Sequence, residues 1–169
     1  GMNHLGEIAL LADIVRPEVG LITNIGTAHA GNVGGIEGVA RAKAELFEAL
    51  GKDAIAVVNA DDPRCVREAQ KKAKCRHVSF GRARWADVRL ANVEARETGG
   101  QELEIVCAGV TVTTSIPLDG RHNADNATGA LAVAPALGLP FQTAARGLSH
   151  VHRVHGRLER SRLQNGSVL

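Results

Sequence analysis

The chain has 169 residues and a formal net charge of +2, with 44% hydrophobic and 22% charged residues. This is the size and composition of one globular domain with a real core, and so small a charge gives no reason to expect a nucleic-acid partner. Aromatic residues make up 2%, which disfavours a base-stacking platform for single strands. Three cysteines without C-x-x-C spacing are typical of a reduced, cytoplasmic protein, and no stretch resembles a membrane span or a signal peptide.

The first half of the sequence alternates between amphipathic helices and short apolar strands. The predicted order is a helix over 5–15, a strand over 19–25, a glycine-rich loop, a helix over about 36–51, a strand over 54–58, a helix over 64–74 and a strand over 77–80. Continuous apolar runs between turn residues are typical of buried parallel strands. The alternation therefore favours a mostly parallel sheet with right-handed crossovers and flanking helices, an α/β fold.

From residue 87 onward the hydrophobic pattern changes to a period of two. Strands are predicted over 87–95, 102–107 and 110–116, with hairpin signals at Thr98-Gly99-Gly100 and Ala108-Gly109. This pattern predicts a small antiparallel sheet at about 86–116, attached to the parallel one. Two helices should follow, over 123–137 and 141–148, and Pro135 should kink the first of them or end it early.

Residues 22–47, ITNIGTAHAGNVGGIEGVARAKAELF, carry the main candidate site. A strand leads into a glycine-rich loop with His29, and the helix that follows has Lys43 as its only lysine. Loops at the carboxyl ends of strands are where open α/β sheets bind ligands. Taken singly, His29 would more often be a structural histidine and Lys43 a solvated lysine that covers its neighbours.

Three other segments carry polar groups of interest. Asn123 and Asn126 are spaced i, i+3 at a helix start, where their amides could meet the edge of adenine, although Asn123 could instead be an N-cap. The sequence N-A-D-D over 59–62 follows a strand, which leaves helix capping and a place near a nucleotide both open. The third segment contains three histidines, His150, His152 and His155. Arginines lie beside them, and their positive charge disfavours a metal site.

The pattern G-T-A-H-x-x-x-x-G-G followed by G-V-A-R-A-K-A-E-L-F resembles the central domain of the Mur ligases, which have a P-loop NTPase-like fold. In that family a histidine and a lysine at this spacing belong to the magnesium site, so the resemblance implies that His29 and a carbamylated Lys43 hold Mg²⁺. A carbamate is an anionic oxygen donor, which suits so hard an ion. The family's H-N-x-x-N and G-R-[LM]-E motifs imply that Asn123 and Asn126 contact adenine and that Arg157 reaches the nucleotide phosphates.

The opening G-M-N-H-L-G-E-I resembles the branch of that family that adds D-alanyl-D-alanine to UDP-N-acetylmuramoyl-tripeptide in peptidoglycan precursor synthesis. The resemblance implies an ATP- and Mg²⁺-dependent, cytoplasmic ligase. ATP would phosphorylate the tripeptide carboxylate, and the amine of D-alanyl-D-alanine would attack the acyl phosphate. After His29 the family's Leu-Glu-x-Phe-Gly-Ser is replaced by residues 30–35, with the loss of an acidic residue.

Residues 1–169 are expected to be the central ATP-binding domain alone, cut before residue 1 and without the family's N- and C-terminal domains. The sequence contains no G-x-x-G-K-[ST] phosphate loop. The chain by itself is therefore expected to be inactive and to bind Mg²⁺ poorly.

Two other functions stay open at this stage. One is a related ligase that acts on another UDP-muramyl peptide, a folate or a poly-amino acid, and the opening motif argues against it. The other is a non-catalytic protein-binding module, which would show no dependence on ATP or Mg²⁺. Neither a nucleic-acid partner nor membrane insertion is expected.

Overall fold

The structure is a computed structural model that describes residues 2–151. Its elements are α1 (Glu7–Val15), β1 (Val19–Ile22), α2 (Ala30–Val33), α3 (Ile36–Ala49), β2 (Ile55–Asn59), α4 (Pro63–Lys72), β3 (Arg76–Gly81), β4 (Val88–Ala95), β5 (Gln101–Cys107), β6 (Val110–Ile116), α5 (Arg121–Ala136) and α6 (Phe141–Leu148). No helix within residues 2–151 has both the length and the hydrophobicity to cross a membrane.

All six strands form one sheet in the order β1-β2-β3-β4-β5-β6. The strands from β1 to β4 pair in parallel, and β4, β5 and β6 pair antiparallel. The α/β prediction is therefore confirmed. The antiparallel strands predicted over 86–116 are found as well, and they continue the parallel sheet.

Helices cover both faces of the parallel strands. On β2, Ala56 and Val58 belong to a core that they share with α3 and α4, whereas Val57 between them packs with α5 on the opposite face. A strand buried on both faces has no polar side, which explains the continuous apolar run in its sequence.

The antiparallel strands are buried on one face only. Leu103 and Ile105 of β5 are fully buried, while Glu102 and Glu104 are exposed. The hydroxyl of Thr114 on β6 donates a hydrogen bond to the Ala145 carbonyl oxygen at 2.6 Å and so attaches α6 to the buried face. One-sided burial accounts for the period of two in this part of the sequence.

The first part of the candidate site differs from the prediction in two ways. The strand predicted over 19–25 ends at Ile22, because side chains take over the backbone groups that follow. The Thr23 carbonyl oxygen accepts from Asn59 Nδ2 at 2.7 Å, and the Ile25 amide donates to Asp62 Oδ2 at 2.6 Å. The glycine-rich loop also contains the short helix α2, which was not predicted.

Strands β3 and β4 are parallel although only the short segment 82–87 connects them. Parallel neighbours normally need a long crossover, because the chain must return to the starting edge of the sheet. Here Phe80 pairs with Val88 and Gly81 with Arg89, so β4 begins where β3 ends and no return is needed. Segment 82–87 therefore stays at the carboxyl end of β3.

Helix α5 runs from the carboxyl edge of the sheet to its amino edge. Its last turn contains Pro135, and the helix continues past this residue to end at Ala136, one residue before the predicted end at 137. The residue after it, Leu137, lines an open groove of about 780 Å³ together with Val19 and Ile55, the first residues of β1 and β2. None of the predicted site residues between positions 2 and 151 lines this groove, so the start of α5, and not its end, belongs to the candidate site.

Candidate functional site

Lys43 lies at the carboxyl edge of the sheet. Its neighbours Ala42 and Ala44 are fully buried, which fixes the rotation of α3 against the sheet. The half-buried Lys43 side chain reaches the segment just after β1, where its Nζ donates a hydrogen bond to the Asn24 carbonyl oxygen at 2.5 Å. The structure thus places Lys43 at the predicted loop.

His29 is exposed in that same loop, directly before α2. Its φ of 64° lies in the left-handed region, which residues other than glycine seldom adopt. Helix α2 packs tightly on the start of α3. The approach is so close that a Cβ on Gly38 would lie 1.7 Å from the Val33 carbonyl oxygen. The position of His29 relative to the Lys43 helix is therefore well defined.

The donor set for a metal is incomplete in the described part of the chain. Between residues 2 and 151, no three histidine, cysteine, aspartate or glutamate side chains are grouped so that they could hold a metal ion. An ammonium group is a hydrogen-bond donor without a lone pair for a metal. His29 and Lys43 would suit Mg²⁺ only if Lys43 carried an oxygen donor such as a carbamate.

The N-A-D-D sequence over 59–62 joins the ends of neighbouring strands. Asn59 and Asp62 bind the backbone after β1, through the contacts to Thr23 and Ile25 given above. Asp62 also caps α4, because its Oδ1 accepts from the Arg64 amide at 2.9 Å. Of the two possibilities left open for this sequence, capping is therefore found for Asp62.

Asp61 holds the segment that follows β3. Its two carboxylate oxygens accept from the Arg82 amide at 2.7 Å and from the Ala83 amide at 2.8 Å. The carboxylate lies so close to Gly81 that a Cβ there would approach it to 2.7 Å. Glycine at position 81 thus permits the contact between Asp61 and this segment.

Asn123 and Asn126 lie at the start of α5, at the same edge of the sheet. The N-cap position is Gly120, and Asn123 Nδ2 donates to the Asp119 carbonyl oxygen at 2.7 Å. The alternative of Asn123 as an N-cap is therefore wrong, because the helix begins two residues earlier. Asn126 is exposed, and its side chain makes no hydrogen bond to any residue from 2 to 151, so its amide is available to a ligand.

Arg82 contacts the helix turn that carries Asn123 and Asn126, which the sequence did not reveal. Its Nε and Nη2 each lie 3.1 Å from Asp125 Oδ1, and both side chains are about one-third exposed, 32% and 31%. This ion pair joins segment 82–87 to the first turns of α5. An acid inside the H-N-A-D-N motif is visible in the sequence, but its partner is 43 positions away and only the fold brings it near.

Two glutamates hold the opening motif. Glu7 accepts from the Asn3 amide at 2.6 Å and contacts His4 Nδ1 at 3.0 Å, and these bonds, the Asn3 amide foremost, lower the pKa of Glu7 to about 2. Glu45 of α3 accepts from two amides at the start of α1, the nearer being Gly6 N at 2.7 Å. Because α1 leads directly into β1, its start lies at the carboxyl edge of the sheet, as does the rest of the site.

The remaining predicted residues lie at or beyond the end of the described range. Arg157, His152 and His155 fall outside residues 2–151. His150 is exposed, and its Nδ1 lies 3.1 Å from the Arg146 carbonyl oxygen, a local contact at the end of α6.

The carboxyl edge thus collects polar groups from α1, α3, α5 and the strand ends, and comparison with known proteins shows what kind of domain this is. The family model described as Mur ligase middle domain matches residues 1–134. The chain belongs to the Mur ligase family. The predicted family is confirmed.

Among known Mur ligases, the UDP-N-acetylmuramoyl-tripeptide--D-alanyl-D-alanine ligase of Bacillus subtilis is 32% identical over 98% of this chain. The enzyme of the same name from Escherichia coli is 32% identical over 100% of it. The chain spans only about a third of these relatives, 35% and 37% of their lengths.

Solved Mur ligase structures agree with the fold. MurF from Acinetobacter baumannii has a TM-score of 0.89 and 31% identity, over 97% of this chain and 36% of that one. MurF from Thermotoga maritima, solved in complex with ADP, has a TM-score of 0.82 and 25% identity, over 95% of this chain and 36% of that one.

Proposed function

We propose that this chain is the ATP-binding part of a ligase that joins D-alanyl-D-alanine to UDP-N-acetylmuramoyl-tripeptide. The observation that carries the proposal is that Lys43 of α3 and Asn126 of α5 both lie at the carboxyl edge of the sheet, on helices that cover its opposite faces. Relatives that bear this ligase's name match nearly the whole chain, and an ADP complex of one structural neighbour supports the nucleotide.

In the proposed reaction, the tripeptide carboxylate takes the γ-phosphoryl group of ATP and releases ADP. The amine of D-alanyl-D-alanine then attacks the acyl phosphate, which forms the amide and releases phosphate. Asn123 and Asn126 would hold the adenine edge, and Arg157 the phosphates, since a guanidinium fork suits phosphoryl oxygens. The Asn123 amide already donates to Asp119, so its carbonyl oxygen and remaining N–H are what it can offer the base.

His29 and a carbamylated Lys43 would hold Mg²⁺ in this ligase. When bound, the ion offsets the negative charge that develops on the transferred phosphoryl group. The contribution of the chain is the placement of the Lys43 amine beside the loop that bears His29.

The 169-residue chain by itself is not proposed to turn over ATP. Its sequence contains no G-x-x-G-K-[ST] loop, the element whose backbone amides and lysine hold the β- and γ-phosphates. We also propose a cytoplasmic location, which is supported by the three cysteines, all of them free thiols.

The test is ligation by a protein of the relatives' length that carries this chain. We expect ADP and the extended peptide to form only when ATP, Mg²⁺, the UDP-linked tripeptide and D-alanyl-D-alanine are all present. Ligation of a folate, a glutamate chain or a shorter UDP-muramyl peptide instead would point to another ligase of this architecture. An absence of any ATP- or Mg²⁺-dependent product would favour the non-catalytic binding module.

A further inference from the structure

The short segment between β3 and β4, residues 82–87, is held at several points and is called here the 82–87 loop. Asp61 binds the amides of Arg82 and Ala83 at its start. In its middle, the Ala86 amide donates to the Ala83 carbonyl oxygen at 3.0 Å and closes a turn. At its end, Asp87 Oδ2 accepts from the amide of Ser79 at 2.7 Å and from its hydroxyl at 2.6 Å. The loop therefore has a defined conformation.

This turn presents the only tryptophan of the chain. Trp85 lies between the two residues that close the turn, and 60% of its surface is exposed. By contrast, the phenylalanines Phe47 and Phe80 are fully buried in the two cores. An indole offers a large flat surface that loses little conformational entropy on binding, because only two side-chain torsions must be fixed.

The ion pair between Arg82 and Asp125 ties this loop to the proposed adenine-binding residues. Asp125 precedes Asn126 in the first turns of α5, so the two side chains leave adjacent positions of one helix. Three peptide units separate Arg82 from Trp85, which keeps their Cα atoms within about 11 Å of each other. The loop that carries Trp85 is thus tied by one ion pair to the helix turn that carries Asn126.

We propose that the 82–87 loop forms the second wall of the nucleotide-base site. The Trp85 indole stacks on the face of the adenine ring whose edge hydrogen-bonds to Asn126. Arg82 is a positioning residue that acts through Asp125, and Asp61 holds the backbone from which both Arg82 and Trp85 project. This inference rests on the proposed function, because it assumes that the Asn123–Asn126 turn meets adenine.

The first experiment replaces Trp85 in the full-length ligase. Trp85→Ala should raise the KM for ATP by about tenfold or more with kcat little changed, because base–aromatic stacking typically contributes that much to binding. Trp85→Phe should retain most of the affinity, since it keeps an aromatic face. A KM for ATP within twofold of the parent value in the Trp85→Ala enzyme would overturn the proposal.

The second experiment follows tryptophan fluorescence while ADP is added. The parent enzyme should show a change in emission that saturates with ADP and is clearly smaller in the Trp85→Phe enzyme. An ADP-dependent signal of the same size in both proteins would place the indole away from the base and contradict the proposal. Trp85→Ala and Trp85→Phe should both have the unfolding temperature of the parent enzyme, because the indole is exposed.

The third experiment tests the positioning role of Arg82. Arg82→Gln and Asp125→Asn should each raise the KM for ATP severalfold. The double variant should be no worse than Asp125→Asn alone, because that change already removes the ion pair with Arg82 and the longer contact with Arg121 at 4.0 Å. Arg84→Gln is the matched control, an exposed arginine of the same loop with no ion pair among residues 2–151. Equal effects of Arg82→Gln and Arg84→Gln, or additive effects in the double variant, would refute the positioning role.

The outcomes separate the two proposals. If the parent enzyme shows no ATP-dependent ligation, the proposed function fails, and the base-site inference fails with it. If the parent ligates normally and Asn126→Ala raises the KM for ATP while Trp85→Ala does not, only the second wall is wrong.

Discussion

Lys43 is the residue whose chemistry the proposed function uses most directly. If its carbamate holds Mg²⁺, Lys43→Ala should nearly abolish ligation in the full-length enzyme. Lys43→Arg should be equally inactive, because a guanidinium stays protonated and cannot form the carbamate. The measurement is the rate of ADP and peptide formation at saturating substrates, and a short carboxylic acid should restore part of the activity of the alanine variant.

A lysine of the neighbouring helix supplies the control for this prediction. Lys71 of α4 is exposed and forms no ion pair within residues 2–151, so Lys71→Arg should leave the rate unchanged. Full activity of the Lys43→Arg enzyme would refute the carbamate assignment.

Asn126 should affect nucleotide binding and not the chemical step. Asn126→Ala removes one side-chain hydrogen bond to the base, which costs about 1 kcal/mol and corresponds to roughly a fivefold rise in the KM for ATP. Asn92→Ala is the comparison, because Asn92 lies on the exposed part of β4 and its side chain bonds, among residues 2–151, only to the Glu94 side chain. A large fall in kcat with an unchanged KM would show that Asn126 has another role.

Sequence patterns located the helices and strands wherever burial alone defines them. β6 and α6 have the predicted bounds, Val110–Ile116 and Phe141–Leu148. The end of β1 and the helix α2 could not be predicted in this way. The first depends on side chains 36 and 37 positions away, and the second is a single turn that follows a residue with positive φ.

The site shows the same limit. Lys43 and Asn126 could be proposed as site residues because each lies in a local motif of the sequence that resembles the family's. Arg82 and Trp85 could not be proposed from the sequence. Their place near α5 depends on the ion pair between Arg82 and Asp125 and on the register of β3 and β4, which bring distant positions together. Local spacing is visible in one sequence, whereas a contact between two loops is a property of the fold.

Glu45 connects two elements that both border the site. Its carboxylate accepts from the Gly6 amide at 2.7 Å and the Ala9 amide at 3.1 Å, which would otherwise lack partners at the start of α1. Glu45→Ala should lower the free energy of unfolding of the chain by about 1–2 kcal/mol, as the loss of a helix cap does. Urea denaturation followed by circular dichroism measures it.

The control lies one turn further along the same helix. Glu48 is exposed and pairs with Lys72 at 2.8 Å, and Glu48→Ala should leave the free energy of unfolding nearly unchanged, as is usual for surface ion pairs. Equal losses for the two alanine variants would show that Glu45 is not a cap for α1.

In the whole molecule, the site lies where two separate cores meet the same edge of the sheet. α3 belongs to the core on one face and α5 to the core on the other. The sequence over 59–62 and the pair Arg82–Asp125 hold the edge between them. A shift of either helix layer would therefore change the distance between Lys43, proposed to hold magnesium, and Asn126, proposed to hold the base.

The two helix layers should respond differently to acid. The pKa of Glu7 is lowered to about 2, chiefly by the Asn3 amide, and the pKa values of Glu37 and Glu48 are lowered by bonds to arginine and lysine side chains of α4. Because folding lowers these pKa values, the stability they provide is fully present above the ordinary value of 4.5 and is lost as pH falls, for Glu7 through about 2. All three glutamates belong to the layer of α1, α3 and α4, so amides of that layer should lose hydrogen-exchange protection before those of α5 between these pH values.

The combined Glu37→Gln and Glu48→Gln variant should show a smaller change with pH over the same range. Simultaneous loss of protection in both layers, or earlier loss in α5, would contradict the prediction.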